Sequence, residues 1–446
     1  MLRIGEHFHL YNPGNHYSIL EELDGDLNSR LTQQPKSILF NGDEENVCLN
    51  INLSQNEETK IESSYYIGLD WIHPWKIPVQ VEPKMNKEGV KIDYLQMLVE
   101  ALSEPENFDH LDALMEIKFE DQWIEVDGDQ NIQLTPFLIL QYLMVVRSIV
   151  RKGLKKDYYR VVSNLDSRIK GKILVGEQIK QNVLKNRQTK TVCSYPQFGL
   201  NTHANQFLKY VLLFINAQIE NYQDQRFKGE LLSLIRYNLG AFNQVDEKYH
   251  GKLGKEVNPF YQEYNQAFML GNQILRLLDH NLSKATTLAS KYPPHWIDMS
   301  KLFELYVFKK LREKFLAKGA VKYHFKTNRQ ELDFIINHEG VRCVVDAKYK
   351  PRYRSGNPSK DDARQLSGYA RLNKMYKELE VENDILIPIY IIYPKMLGFD
   401  TSSALDFEEN FSEVEGSDIQ ILDTTVRESG AYRKMYLQEI ELPFIN

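Results

Sequence analysis

The segment "CVVDAKYK", residues 343–350, joins a short apolar run directly to two charged side chains. The apolar run is typical of a buried strand, and Asp346 and Lys348 follow it with one residue between them. Side chains two residues apart on a strand lie on the same face. The sequence therefore predicts that a carboxylate and an ammonium group project together from the end of a core strand.

The segments on either side of this strand predict an alternation of helices and strands. A helix begins near Ser300, and a second helix begins near Asp361 with acidic residues in its first turn. The α-β-β-β-α-β order predicts a mixed sheet flanked by helices. The strand patterns are "VKYHF" (321–325), "LDFIIN" (332–337), "VRCVVDAKY" (341–349) and "DILIPIYIIYP" (384–394), and "HEG" joins the second and third as a hairpin.

Other polar side chains are expected near the end of the same strand. Asp333 opens the preceding strand, so the hairpin would bring it beside Asp346. Glu304 lies in line with apolar residues of the first helix, which directs its carboxylate towards the sheet. Gln365 and Tyr369 are four residues apart, on one face of the second helix. These positions predict that three carboxylates, a lysine and an amide converge.

Phosphodiester hydrolysis requires these residue types. Carboxylates bind hard divalent ions, which activate water and polarise a phosphoryl oxygen. We assign Asp333 and Asp346 as ligands of Mg²⁺, with Mn²⁺ as an alternative, and Glu304 as a third ligand or as a support of the first two. Lys348 would offset the charge that builds on phosphorus, and Gln365 would position water or phosphate. An Asp-x-Lys tripeptide alone is more often a surface ion pair, so the prediction depends on the combination.

Composition places the chain among ordinary globular proteins. Of its 446 residues, 42% are hydrophobic and 26% charged, which excludes a disordered or fibrous chain. The three cysteines show no metal-ligand spacing, so we expect neither a zinc site nor disulfides. The longest apolar run, 136–146, is too short to span a bilayer, and no signal peptide is recognisable. We therefore expect a cytoplasmic protein without a membrane segment.

The sequence pattern predicts a multidomain α+β protein with three parts. Residues 1–150 form a β-rich module, because short β-like runs alternate there with turn residues. Residues 151–295 are predicted to be mainly helical, and residues 296–446 form an α/β domain with a mixed sheet. The last boundary follows from the proline pair in "KYPPHWIDMS" (291–300), which cannot continue a helix.

Charge is distributed unevenly along the chain. Residues 100–129 hold 11 acidic residues and one lysine, whereas residues 147–190 hold 13 Lys and Arg and three acidic residues. Either run is compatible with a solvated face, and the basic run is also compatible with binding along a phosphate backbone. Within "RIKGKIL" (168–174), the candidate DNA-binding residues are Arg168, Lys170 and Lys172, and a solvated loop fits that stretch equally well.

Several segments resemble known families. "LDFII", "VVDAKYK" and "QLSGYAR" resemble the core of PD-(D/E)XK nucleases with the Q-x-x-x-Y extension of RecB-like members, and "HWIDMSKLFELYVFKKLRE" resembles the helix that opens the nuclease domain of the McrC family. Further McrC-like segments occur in the same order, so the resemblance covers most of the chain. They are "YYIGLDWI…VQVEPKM", "LDSRIKGKILVGEQIKQNVLKNR" and "SYPQFGLNTHANQFLKYVLL".

The resemblance implies a function and a site. McrC is the nuclease subunit of a modification-dependent restriction system and works with McrB, an AAA+ GTPase that forms hexamers. The chain would then cleave double-stranded DNA that carries modified cytosine, as part of a hetero-oligomer. The resemblance places Asp333, Asp346 and Lys348 in the nuclease motif, with Glu304 and Gln365 in support.

The resemblance also implies that residues 1–150 dock on the GTPase and stimulate it. The sequence contains no G-x-x-x-x-G-K-[S/T] loop, so GTP hydrolysis must come from a partner. Two alternatives stay open, namely a stand-alone RecB-like repair nuclease and a non-catalytic activator of an AAA+ motor. A neighbouring gene for a GTP-binding AAA+ protein would discriminate between them.

Overall fold

A computed structural model describes most of the chain. The described residues are 1–6, 9–10, 36–53, 59–72, 77–86, 90–110, 114–118, 121–127, 134–220, 228–249, 256, 258–283, 289–327, 330–350, 360–395, 411–413, 420–424 and 426–445. Parts of the acidic run 100–129 therefore lie outside the described residues.

The secondary structure alternates in type along the chain. Its strands are β1 (Leu2–Gly5), β2 (His9–Leu10), β3 (Lys36–Leu39), β4 (Val47–Leu53), β5 (Thr59–Ser63), β6 (Tyr66–Ile72), β7 (Ile77–Glu82), β8 (Lys91–Ile92), β9 (Met115–Ile117), β10 (Ile124–Asp127), β11 (Asp157–Asp166), β12 (Lys172–Ile173), β13 (Lys190–Gly199), β14 (Ala289–Tyr292), β15 (His295–Asp298), β16 (Val321–Thr327), β17 (Gln330–His338), β18 (Val341–Ala347), β19 (Ile389–Pro394), β20 (Phe411–Glu413), β21 (Val426–Ser429), β22 (Met435–Ile440) and β23 (Phe444–Ile445). Its helices are α1 (Tyr94–Ser103), α2 (Leu134–Lys152), α3 (Val175–Gln178), α4 (His203–Glu220), α5 (Lys228–Gly240), α6 (Glu263–Ser283), α7 (Met299–Lys314), α8 (Lys360–Ala370) and α9 (Asn373–Glu378).

Two compact units make up the chain, and they differ from the three parts predicted from the sequence. The first unit combines Met1–Gln130 with Ala289–Asn446, and the second comprises Asn131–Leu288. The reason is strand pairing. β15 pairs with β6 and β9, and β14 pairs with β10, so the segment that precedes α7 completes the N-terminal sheets.

The N-terminal half of the first unit is β-rich, as predicted. One sheet has the strand order β1-β7-β6-β15-β9, and a second has the order β2-β5-β4-β3. The indole of Trp296 on β15 is fully buried between them and donates from Nε1 to Asp70 Oδ2 at 2.7 Å. Lys118 Nζ lies 2.7 Å from the same oxygen, so the buried Asp70 carboxylate has a counter-charge. β15 therefore contributes both apolar and polar contacts to the N-terminal core.

The C-terminal half of the first unit contains the predicted mixed sheet. Its strand order is β16-β17-β18-β19-β22-β21-β20, with β18, β19 and β22 parallel and the outer pairs antiparallel. Helix α7 follows β15 at once, because Asp298 caps it by accepting a hydrogen bond from the Lys301 N–H at 2.9 Å. The α-β-β-β-α-β order is confirmed, and β20 to β22 extend the sheet beyond it.

The second unit is mainly helical in its described residues, and it also contains a small sheet that the sequence pattern did not predict. α2, α4, α5 and α6 pack together, and the apolar run 136–146 lies in α2, where most side chains of residues 138–146 are buried. In addition, β11, β13 and β12 form a sheet in that order. β11 has mostly exposed or half-exposed residues on both faces, so it lacks the alternation that predicts a strand. Among the described helices of the whole chain, none is long and apolar enough to cross a membrane.

Close packing of β6 against β15 gives a test of this arrangement. Gly68 pairs with Trp296, and a Cβ at Gly68 would collide with the carbonyl oxygen of His295 and lie 3.0 Å from Trp296 Cα. We expect Gly68→Ala to lower the free energy of unfolding by about 3 kcal/mol or more, because the backbone of β15 would have to move. Gly5→Ala in β1 of the same sheet is the control, since nothing lies within 4 Å of a Cβ there. Equal chemical-denaturation midpoints for the two variants would contradict the described packing.

Candidate active site

Two aspartates face each other where β17 and β18 meet. The register pairs Phe334 with Val345, so Asp333 is opposite Asp346. The backbone N–H of Ala347 donates to Asp333 Oδ2 at 2.8 Å, which fixes this carboxylate against the end of β18. The Asp346 side chain is only 4% exposed. The hairpin therefore brings together the two carboxylates that the sequence predicted.

Lys348 supplies the positive charge at this point. Its Nζ lies 3.0 Å from Asp346 Oδ2, and its backbone N–H donates to the carbonyl of Ile392 on β19 at 2.8 Å. The backbone bond continues the parallel pairing one residue beyond β18. The predicted convergence of Asp346 and Lys348 is thus present, because both lie on one face of an extended segment.

Burial and like charges shift the pKa values of these groups. The pKa of the Asp333 carboxyl is well above its usual value, because of burial and the nearby charges of Asp346 and Glu304. Burial also raises the pKa of Asp346, although Lys348 partly offsets this. Burial disfavours the charged form of Lys348, but the two aspartates overcome that effect and raise its pKa. The two carboxyl groups of the site are therefore costly to ionise together.

The Glu304 carboxylate contacts side chains of β16. Tyr323 Oη donates to Glu304 Oε2 at 3.2 Å, and His324 Nε2 lies 3.4 Å from the same oxygen. The register that pairs Tyr323 with Phe334 puts His324 opposite Asp333, and His324 has a φ of 51°, in the left-handed region. The sequence pattern predicts only a strand at Tyr323 and His324. The unusual backbone that directs His324 to Glu304 has no signal in the sequence.

Gln365 and Tyr369 lie together on α8, as predicted. Gln365 Nε2 donates to Tyr369 Oη at 2.7 Å, and Tyr369 is buried while Gln365 is exposed. Within the described residues, Gln365 makes no hydrogen bond to Asp346 or Lys348. The two helical residues thus support each other, and the structure does not join them directly to the carboxylates.

An ion pair that the sequence did not reveal lies next to the site. Lys350 Nζ is 3.0 Å from Asp362 Oδ2, and the Asp362 side chain is buried. The charge of Asp362 also raises the pKa values of Asp346 and Lys348. In the sequence pattern, Asp362 is only one of the acidic residues in the first turn of a predicted helix.

The donor set fits a hard divalent cation held by two carboxylates. The buried Asp346 carboxylate has Lys348 Nζ 3.0 Å from its Oδ2, and Asp333 is opposite it on β17. Mg²⁺ is commonly held by one or two carboxylates while it keeps several waters. A preformed cluster of three ligands is not found in the described part of the chain. Asp333 and Asp346 therefore fit the ion, and Glu304 is held by Tyr323 instead.

The predicted DNA-binding residues lie in the second unit. Arg168, Lys170 and Lys172 are exposed, and Lys172 begins β12. Lys170 Nζ lies 4.2 Å from the ring centroid of Tyr195, a cation–π distance. The stretch is thus an exposed basic surface of the second unit.

Comparison with known proteins places the chain in a family. The sequence model described as "McrBC 5-methylcytosine restriction system component" matches residues 66–387. The chain belongs to this family. The match includes Glu304, Asp333, Asp346, Lys348 and Gln365, so all these site residues lie within the family region.

Solved structures give only distant likenesses. A half-complex from the tetradecameric assembly of Thermococcus gammatolerans McrB AAA+ hexamers with bound McrC is 15% identical, with a TM-score of 0.36, over 98% of this chain and 94% of that chain. The Thermococcus gammatolerans McrBC complex is 15% identical, with a TM-score of 0.26, over 71% of this chain and 88% of that chain. No curated protein sequence matches the chain. Neither score indicates a shared overall arrangement.

The raised pKa of Asp333 predicts a pH-dependent cost to stability. The folded chain keeps the Asp333 proton to a higher pH than the unfolded chain, so stability falls as pH rises from about 3.9, the ordinary aspartate pKa, through the raised value. We expect Asp333→Asn to raise the Tm at pH 8 in EDTA, and to change it little near pH 4. The Asn oxygen can still accept from the Ala347 N–H.

With Mg²⁺ present at pH 8, we expect the wild-type chain to have a higher Tm than Asp333→Asn. A bound ion would stabilise the folded wild-type chain by about 2.7 kcal/mol at about 100 times its Kd, and would stabilise Asp333→Asn much less. Differential scanning fluorimetry at both pH values, with and without Mg²⁺, measures both effects. A Tm difference that is the same at pH 4 and pH 8 would contradict the assigned charge state.

Proposed function

We propose that this chain is the metal-dependent DNA endonuclease of an McrBC-type restriction system, with a PD-(D/E)XK site. The observation that carries the proposal is the apposition of Asp333 and Asp346 on adjacent strands, with Lys348 Nζ 3.0 Å from Asp346. Membership of the restriction family supports DNA as the substrate. A surface ion pair would not require two carboxylates that face each other at the end of a core strand.

Each residue has a role that its position supports. Asp333 and Asp346 would hold Mg²⁺ or Mn²⁺, which supplies an activated water and polarises the phosphoryl oxygen. Lys348 stabilises negative charge on the phosphate from the same side as Asp346. Tyr323 and His324 hold Glu304 on α7 behind the site. Tyr369 orients the exposed amide of Gln365, which can then contact water or phosphate.

Substrate and partner follow from the family and from the sequence. The family is described as part of a 5-methylcytosine restriction system, so we propose DNA with 5-methylcytosine as the substrate class. The chain lacks a phosphate-binding P-loop sequence, so we propose that an AAA+ GTPase provides the motor. The Thermococcus gammatolerans McrC is bound to McrB AAA+ hexamers, and a hetero-oligomer of the same kind is proposed here.

A surface on the second unit suits the partner. Tyr158 on β11 and Phe198 on β13 are paired in register, and they are 71% and 57% exposed with ring centroids 5.2 Å apart. Large apolar side chains exposed together mark protein contact surfaces. Docking through residues 1–150, which the family resemblance implies, stays a second proposal, and residues 1–130 share one unit with the site elements. A truncation at residue 150 would also remove β6, the partner of β15.

Substitution of the catalytic charges tests the activity. We expect Asp346→Asn to reduce cleavage of methylated plasmid DNA to background, and Lys348→Met to reduce the rate by about 10²- to 10³-fold. The full chain is assayed with its AAA+ partner, GTP and Mg²⁺. Asp384→Asn, which changes an exposed carboxylate, should cleave at the wild-type rate.

The same assay separates the alternatives. Cleavage by Asp346→Asn at the wild-type rate would remove the nuclease assignment and favour a non-catalytic activator. Cleavage by the wild-type chain without partner or GTP would favour a stand-alone repair nuclease. The proposal requires negligible cleavage by Asp346→Asn and negligible cleavage by the wild-type chain without partner or GTP.

The docking surface has its own test. We expect Tyr158→Ser/Phe198→Ser to lose most of the stimulation of GTP turnover by the partner, because burial of two aromatic rings contributes several kcal/mol to an interface. Phosphate release measures GTP turnover, and fluorescence anisotropy measures DNA affinity. Wild-type stimulation together with weakened DNA binding would assign this surface to DNA instead.

A further inference from the structure

A buried charged cluster joins the N-terminal sheet to the segment that carries Lys348. Glu6 directly follows β1, and Lys84 lies just after β7. Lys84 Nζ lies 3.4 Å from Glu6 Oε1 and donates to the backbone carbonyl of Tyr349 at 2.7 Å. The same Nζ is 4.1 Å from the centroid of the Tyr349 ring. One ammonium group therefore contacts a carboxylate, a carbonyl and an aromatic face.

The cluster is costly to bury. Glu6 is only 3% exposed, and the Lys84 ammonium 3.4 Å from its Oε1 is its counter-charge. Burial raises the pKa of the Glu6 carboxyl to about 7, although Lys84 opposes the shift. Buried ion pairs of this kind often contribute little net stability, because desolvation offsets their attraction. Stability alone is therefore a weak reason for its presence.

The position of Tyr349 indicates a different reason. Tyr349 is the residue after Lys348, and its buried ring packs against Phe303, the residue before Glu304, with ring centroids 5.6 Å apart. The backbone on one side of Lys348 is fixed by the bond to Ile392, and on the other side by Lys84. Together these contacts fix the backbone position from which the Lys348 side chain extends.

We propose that Lys84, held by Glu6, is a positioning residue of the nuclease site, because it fixes the Tyr349 carbonyl and thereby keeps Lys348 against Asp346. This inference rests on the proposed nuclease function. Lys84 contacts neither of the two aspartates within the described residues, and it acts through Tyr349. The N-terminal sheet is then part of the machinery that aligns the site, and not only a module beside it.

The test removes the link without leaving a lone buried charge. In the full chain, Glu6→Gln/Lys84→Met deletes both charges and the hydrogen bond to the Tyr349 carbonyl. We expect the cleavage rate at saturating DNA to fall by about tenfold to a hundredfold, as displacement of a catalytic group by about 1 Å does. The DNA concentration for half-maximal rate and the stimulation of GTP turnover should not change.

Two comparison variants separate positioning from general stability. Glu6→Gln alone keeps the donor to Tyr349 and an acceptor for Lys84, so its cleavage rate should stay within about threefold of wild type. Asp70→Asn/Lys118→Met removes a comparable buried pair from the same sheet, and its cleavage rate should also be retained. If Glu6→Gln/Lys84→Met is not folded by circular dichroism, Glu6→Gln/Lys84→Gln replaces it, because a glutamine is too short to span to the carbonyl.

The possible results distinguish failure of the positioning role from failure of the nuclease assignment. Wild-type cleavage by Glu6→Gln/Lys84→Met, or equal losses in it and in Asp70→Asn/Lys118→Met, would overturn the positioning role and leave the nuclease assignment intact. Undiminished cleavage by Asp346→Asn in the same assay would overturn the nuclease assignment and this inference with it. A selective loss of maximal rate in the Lys84 variants alone would support the inference.

Discussion

The apposition of Asp333 and Asp346 is the constraint on which the rest of the site depends. Two carboxylates that face each other at the end of a core strand repel, and burial makes their charges more costly. Lys348 neutralises part of this charge from 3.0 Å. In the proposed nuclease, a divalent cation would neutralise the rest.

The chain supports this constraint with elements that are distant in sequence. β15 lies between two strands of the N-terminal sheet and contributes Trp296 to its core. It leads directly into α7, which carries Glu304. Lys84 of the same half reaches the carbonyl that follows Lys348. The N-terminal and C-terminal segments of the first unit are therefore one physical body, and a substitution in one segment can affect chemistry in the other.

Local sequence was sufficient for the central hairpin and insufficient for its surroundings. The turn "HEG" sets the register that brings Asp333 to Asp346, because turn type and loop length fix the register of a hairpin. Glu6 and Lys84 could not be assigned, since no local pattern links them to Tyr349. β11 lacked an alternating pattern because neither of its faces is buried. The left-handed backbone at His324 and its contact with Glu304 likewise depend on tertiary packing.

Anomalous scattering from crystals of the full chain grown with Mn²⁺ measures the central claim most directly. Mn²⁺ favours the same oxygen ligands as Mg²⁺, and its anomalous signal locates it without reference to activity. The account predicts a peak coordinated by the carboxylates of both Asp333 and Asp346, and no such peak in Asp346→Asn crystals. A fully occupied Mn²⁺ peak elsewhere, with this carboxylate pair empty at saturating metal, would contradict it.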